Sequence, residues 1–237
     1  MAEFTDWTPA PNIRDAPDLY ELENRAIDPD GVLEAALSDI APWAGRDLVD
    51  LGCGTGFWLP AYADQAATVT GIEPDPSLSS MAAERVAGVA NIRVLAGSAE
   101  HLPLPDESAD LIHARFAYFF GPGSEPGLTE AMRVLRPDGS LVVIDNDYDH
   151  GEFAEILRSG TEGNATFDPT AIDRWWADRA ARRIDVLSAW RFDTHRDLEA
   201  VVRHEFRDGA ADAWLHAHPD RAWLSYGYAV FALRRET

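Results

Sequence analysis

Lysine is absent from this chain of 237 residues, and all 20 of its basic side chains are arginine. Acids number 41, so the formal net charge is −21. A field of that sign repels phosphate backbones and anionic lipid, which argues against nucleic-acid or membrane-surface binding. Partners are expected to be small and neutral or cationic. Cysteine is nearly missing as well. Cys53 stands alone, so neither an intrachain disulfide nor a multi-cysteine metal site can form. No apolar run approaches the ~18 residues that span a bilayer. The opening MAEFTDWTPAPNIRD lacks the apolar stretch of a secretory signal, so a cytoplasmic location is expected. Hydrophobic residues make up 46% of the chain, enough at this length for the packed core of one α/β domain.

Residues 1–18 are rich in Pro and Asp, have no periodicity, and are expected to form a mobile arm. A helical pattern begins at Leu19, breaks at DPDG, and resumes in VLEAALSDI before Ala41-Pro42. Strands and helices then alternate. Strands are predicted at 47–51, 67–73, 91–97, 109–116 and 140–147, with helices near 57–66 and 125–135. Asp75-Pro76 opens a further helix, Asp as N-cap and Pro at the first position, and Gly88 closes it. This alternation implies right-handed crossovers and a mainly parallel sheet. In the last third, a helix runs from Asp168-Pro169 to about Arg182, and a strand covers 183–192. A Thr194-capped helix reaches about Phe206, a short helical stretch spans 209–217, and a final strand spans 221–235. Trp190 is expected in the core. Trp175 and Trp176, adjacent on one helix, are expected to face different ways, one of them lining a pocket or lid.

The most informative segment is LVDLGCGTGFW, Leu48 to Trp58, in which a buried strand runs into Gly52-Cys53-Gly54-Thr55-Gly56 and then a helix. Such glycines let the backbone turn sharply and lie against a ligand. The helix start behind them offers free N–H groups and partial positive charge. A dinucleotide fingerprint would need a sixth-position glycine, where this chain has Phe57, so an NAD-type oxidoreductase is disfavoured.

Glycines at positions one, three and five, with Asp50 two residues ahead, instead resemble the first motif of class I S-adenosylmethionine-dependent methyltransferases. Three further segments match that family in register: TVTGIEPDPS, GSAE followed by LPLPDESADLIHA, and TEAMRVLRPDGSLVVID. The resemblance covers roughly residues 45–147. It implies a Rossmann-like, seven-stranded, mostly parallel sheet with helices on both faces and an antiparallel last strand. It also implies S-adenosyl-L-methionine as cofactor and a small-molecule acceptor. The expected organisation is a single domain, with an arm and cap helix at 1–30, a cofactor core at 45–147, and a substrate-shaping part at 148–237. By the same resemblance the cofactor-binding candidates are Asp50, Gly52, Cys53, Gly54, Gly56, Glu73, Pro74, Ser98, Ala99 and Glu100. Glu73 would grip both ribose hydroxyls, because a carboxylate accepts two hydroxyl hydrogen bonds at once. Ser98 stands where the family usually has an Asp against the adenine, so that contact is either weaker or made by the Ala99 backbone or Glu100.

The stretch HARFAYFF after the fourth strand should cross the methyl-donor side, since ligands sit beyond the carboxyl ends of strands in open α/β sheets. There Tyr118 and Phe119 are candidates for an aromatic wall against a sulfonium, or for packing under the next helix. Arg115 is a candidate for a cofactor or substrate carboxylate, or for pairing with an acid. Tyr20 and Arg25, on the amino-terminal helix, are candidates for carboxylate contacts. For catalysis the weak candidates are Tyr118 and His150, the histidine placed just past strand five. Asp145-Asn146 resembles the pair that binds Mg²⁺ in metal-dependent relatives, but HARFAYFF supplies no further carboxylate, so no metal is expected. The functional expectation is methyl transfer to a small molecule by a monomer or homodimer. A non-catalytic cofactor-binding protein is the main rival.

Overall fold

The apolar run DLVDL forms strand β1 (Asp47–Leu51), which sits mid-sheet and is buried over its last four residues. The computed structural model of the protein describes residues 7–9, 11–118, 120–160 and 168–236. Around β1 lie β2 (Thr68–Glu73), β3 (Ile92–Ala96), β4 (Ala109–Arg115) and β5 (Leu135–Asn146), all parallel to it. Two more strands, β6 (Arg182–Arg191) and β7 (Trp223–Arg234), complete a sheet of order β3-β2-β1-β4-β5-β7-β6. β7 pairs antiparallel with both neighbours, as the resemblance implied.

Helices cover both faces. Against one pack α3 (Val32–Ile40), α4 (Leu59–Ala63), α5 (Pro76–Arg85), α7 (Glu152–Gly160), α9 (His195–Glu205) and α10 (Asp212–Ala217). Against the other pack α6 (Glu125–Val134) and α8 (Pro169–Ala177). The short α1 (Pro11–Arg14) and α2 (Pro17–Ala26) precede them. Side-chain caps form where the sequence places them. Asp75 accepts from Ser77 N at 2.8 Å and Leu78 N at 3.3 Å, and Asp168 from Thr170 N at 3.0 Å. Thr194 accepts from Asp197 N at 3.2 Å. None of the described helices is long and apolar enough to cross a membrane.

Four expectations need correction. Helical structure begins before Leu19, because Pro11 and Pro17 each supply the fixed φ that suits a first helical turn. α7 was not expected: it follows an acidic, loop-like stretch, yet it buries Phe153, Ala154 and Ile156. α8 stops at Ala177, well short of Arg182, as Ala180 enters the left-handed region at φ 54°. Trp175 and Trp176 are both buried, 6% and 1% exposed, and neither lines the loop cavity described below. Trp176 stacks on Phe231 at 5.2 Å in the core. The Arg179 guanidinium covers Trp175 at 3.8 Å, and the indole N–H donates to Glu125 at 2.8 Å.

Candidate cofactor site

After β1 the chain turns through Gly52-Cys53-Gly54-Thr55-Gly56, and the Gly52 and Cys53 amides donate to the Ile72 carbonyl of β2 at 2.9 and 3.0 Å. Gly52 has φ 73°, and a Cβ there would lie 2.4 Å from the Ala117 methyl, so no side chain fits. Opposite the loop, at the end of β2, Glu73 is buried. Its Oε2 accepts from Gly54 N and its Oε1 from Asp75 N, both at 2.9 Å. Burial outweighs these two N–H donors and pushes the Glu73 carboxyl up to about 7.

The loop and Glu73 floor a cavity of about 340 Å³, at the lower end of the ~300–1,000 Å³ usual for small-molecule and cofactor sites. Pro74, Leu78, Gly97 and Ala99 form one wall, and Phe116, Ala117 and Tyr118 another. Phe116 and Tyr118 have φ 49° and 59°, strained for side-chain-bearing residues and the kind of backbone that clusters at ligand sites. The Tyr118 hydroxyl donates to Glu100 Oε1 at 2.8 Å and accepts from Gly127 N at 3.1 Å. Its ring therefore stands fixed beside the cavity. Phe119 lies outside the described residues.

The structure thus brings Gly52, Gly54, Glu73, Pro74, Ala99 and Tyr118 together around one cavity, with Glu100 bracing the tyrosine. The Tyr20 hydroxyl comes 3.3 Å from where a Gly54 Cβ would stand, and burial raises its ionisation well above the usual range. Asp50 is buried behind the loop and pushed up to about 7 by burial, which the nearby Arg115 charge opposes. Other candidates point elsewhere. The Cys53 sulfur is turned into the core, 2.8 Å from where a Cβ on Gly71 would sit, and burial pushes its thiol up. Ser98 is buried beneath the wall, bridged to His101. Arg25 is exposed and does not line the cavity. The His150 side chain is 63% exposed and lies 2.7 Å from Asp147, also outside the cavity. Arg115 lines a second cleft and not the cavity, although its charge also reaches Tyr20, beside Gly54, and Asp50. Asp145 and Asn146 both line a small cleft after β5, each with a hydrogen-bond partner within the fold. Asp145 accepts from the Asn146 amide at 2.7 Å, and the Asn146 side chain accepts from the Tyr226 hydroxyl.

Three sets of contacts were not read from the sequence. Trp7, Thr8 and Ile13 roof the cavity, so residues expected to form a free arm lie against the ligand space. α2 grips the loop from outside: Glu21 accepts from Thr55 Oγ1 at 2.6 Å and from Arg85 Nη2 at 2.5 Å. Asn24 Oδ1 accepts from the Trp58 indole at 2.8 Å. No local pattern encodes these pairings, each 34 or more residues apart.

A βαβ sheet of this strand order, with a glycine loop facing an acid at the end of β2, defines a class I methyltransferase fold. Residues 49–143 match the methyltransferase domain family. The chain is 38% identical over 107 residues to a ubiquinone/menaquinone biosynthesis C-methyltransferase from Rubrivivax gelatinosus, covering 44% of this chain and 41% of that protein. It is 32% identical over 107 residues to YcgJ, an uncharacterized methyltransferase of Bacillus subtilis, covering 44% and 42%. The chain therefore spans about two fifths of the length of these curated relatives. A crystal structure of a SAM-dependent methyltransferase from Aquifex aeolicus shares the fold, with a TM-score of 0.56 at 20% identity, over 92% of this chain and 97% of that one.

Proposed function

We propose that the protein transfers a methyl group from S-adenosylmethionine to a small-molecule acceptor. The observation that carries this reading is the Glu73 carboxylate, which accepts a hydrogen bond from the Gly54 amide of the glycine loop and faces a roofed cavity. The fit to the cofactor rests on the same atoms. Each Glu73 oxygen has one N–H donor and keeps a lone pair for a ribose hydroxyl. The bare Gly52 and Gly54 backbone leaves room for a ligand chain. When bound, S-adenosylmethionine supplies an electrophilic methyl group on a sulfonium centre.

The work left to the protein is alignment and exclusion of water. Trp7, Thr8 and Ile13 cover the cavity, and the Phe116 and Tyr118 rings offer faces that attract positive charge. Tyr118 serves through its ring, because its hydroxyl is already committed to Glu100 and Gly127. Phe57 in place of a sixth-position glycine argues against a dinucleotide. The same reading has one domain acting in the cytoplasm, as a monomer or homodimer, without metal or nucleic acid, with residues 1–30 and 148–237 shaping the acceptor space.

The test is incubation with methyl-labelled S-adenosylmethionine and a metabolite extract. Labelled product is expected. Cofactor binding without any product would instead support a non-catalytic role, and absence of binding would overturn the reading.

A further inference from the structure

Arg115 ends β4 with its guanidinium enclosed between the sheet, α3 and α4, away from the cofactor cavity. Its central carbon lies 4.1 Å from the centre of the Trp58 ring. Nη2 reaches the Tyr62 hydroxyl only at 3.4 Å, and the buried Nε–H has no acceptor. Among the described residues no carboxylate stands within ion-pair distance of it. Asp50 contributes negative charge nearby without contacting the guanidinium, and a buried N–H left without an acceptor is costly until a ligand brings one.

Beside this guanidinium opens a cleft of about 70 Å³. Leu33 and Leu37 of α3 and the indoles of Trp43 and Trp58 give it apolar walls, and the Trp43 N–H is also buried without an acceptor. Asp28 and Glu34 add negative charge to the lining. Asp28 is already engaged, accepting from the Val32 and Glu34 amides at 2.9 and 3.0 Å and from Ser188 at 2.6 Å.

We propose that this cleft between α3 and α4 binds a small monocarboxylate, held carboxylate-inward on Arg115, at a site separate from the cofactor cavity. The planar guanidinium fork matches a carboxylate, and the Leu and Trp walls take a short alkyl body. The acidic lining selects against dianions, because a second negative charge meets Asp28 and Glu34 at close range. The site does not depend on methyl transfer, so it stands or falls apart from the reading above.

Calorimetric titration of isobutyrate into the full chain at fixed ionic strength tests it. Saturable one-to-one binding is expected, with no saturable heat from sulfate. Arg115→Met should weaken it at least tenfold. Ala61→Glu, at an exposed residue lining the cleft, should do the same without touching the guanidinium, and it decides the matter if Arg115→Met fails to fold. Protein saturated with S-adenosylhomocysteine should still bind isobutyrate. Three results would each overturn the proposal: no saturable heat with the unaltered chain, unchanged affinity in the folded variants, or competition between isobutyrate and S-adenosylhomocysteine. The last would return Arg115 to the cofactor.

Discussion

The Gly54 amide donates to Glu73 Oε2 at 2.9 Å, tying the turn after β1 to the end of β2. The glycine loop and the carboxylate proposed to read the ribose are therefore one rigid unit. Glu73→Ala removes both the acceptor for the ligand and the tether for the loop. With hydrogen bonds to a charged group worth roughly 1.5–3 kcal/mol each, S-adenosylhomocysteine affinity should fall at least tenfold. Calorimetry that finds equal affinity would refute the ribose assignment.

Affinity should also depend on pH. Glu73 is pushed up to about 7, and only its ionised form accepts strongly on both oxygens, since protonation turns one of them into a hydroxyl donor. S-adenosylhomocysteine should bind more tightly at pH 8 than at pH 6, levelling off above the carboxyl's ionisation. A flat profile across that range would mean that Glu73 does not meet the ligand.

The ligand-free protein should show the opposite trend in stability. Asp50 and Glu73 are raised to about 7 and Asp145 to about 6, each chiefly by burial. Between pH ~4 and ~7 the native state holds protons that the unfolded chain has released, so stability falls as pH rises through that window. His113, buried and pushed down to about 3, acts in the other direction below its ordinary value of 6.5. Three carboxyls outweigh one imidazole. The thermal midpoint without ligand should be higher at pH 5.5 than at pH 8, and the reverse order would contradict the burial of these acids.

Gly127 tests the anchoring of the aromatic wall. A Cβ there would stand 2.1 Å from the Tyr118 ring, which cannot retreat without losing its bonds to Glu100 and to the Gly127 amide. Gly127→Ala should cost ~1–3 kcal/mol in denaturant unfolding and weaken S-adenosylhomocysteine binding. Tyr118→Phe keeps the ring and drops only the hydroxyl, so its cost should be nearer ~1 kcal/mol, with affinity largely retained. Equal effects of the two changes would mean that the ring position is immaterial.

How much of this was legible depended on how local the code is. DLVDL and VLEAALSDI gave the observed bounds of β1 and α3, because their apolar periods are unambiguous. The caps at Asp75, Asp168 and Thr194 form with residues two or three positions away, so the sequence displays them. Glu73 and the glycines stood out through their resemblance to family motifs, each a short segment although the two meet across 19 residues. The roof and the α2 grip could not, since Glu21 finds Arg85 across 64 residues. The direction of Arg115 was readable in principle. Residues alternate along β4, and Arg115 shares a face with His113, which packs against Trp43 and Tyr62. Position after the strand suggested a ligand contact, and side-chain parity decided against the cofactor cavity.

The place of β7 bears on how the chain assembles. Among the described strands β6 pairs with β7 alone, so until Trp223–Arg234 has entered the sheet the preceding strand has no sheet neighbour beyond the isolated bridge from Ile27 to Trp190. Trp190 and Tyr226, stacked at 4.6 Å in the finished molecule, would meanwhile be exposed on unjoined segments. The first five strands can close locally, one crossover at a time, whereas β6 must wait for a partner made after it. β7 reaches β5 across 82 to 94 residues, the longest span between paired strands among the described residues, and pairing at such separations forms late and leaves apolar strands exposed meanwhile.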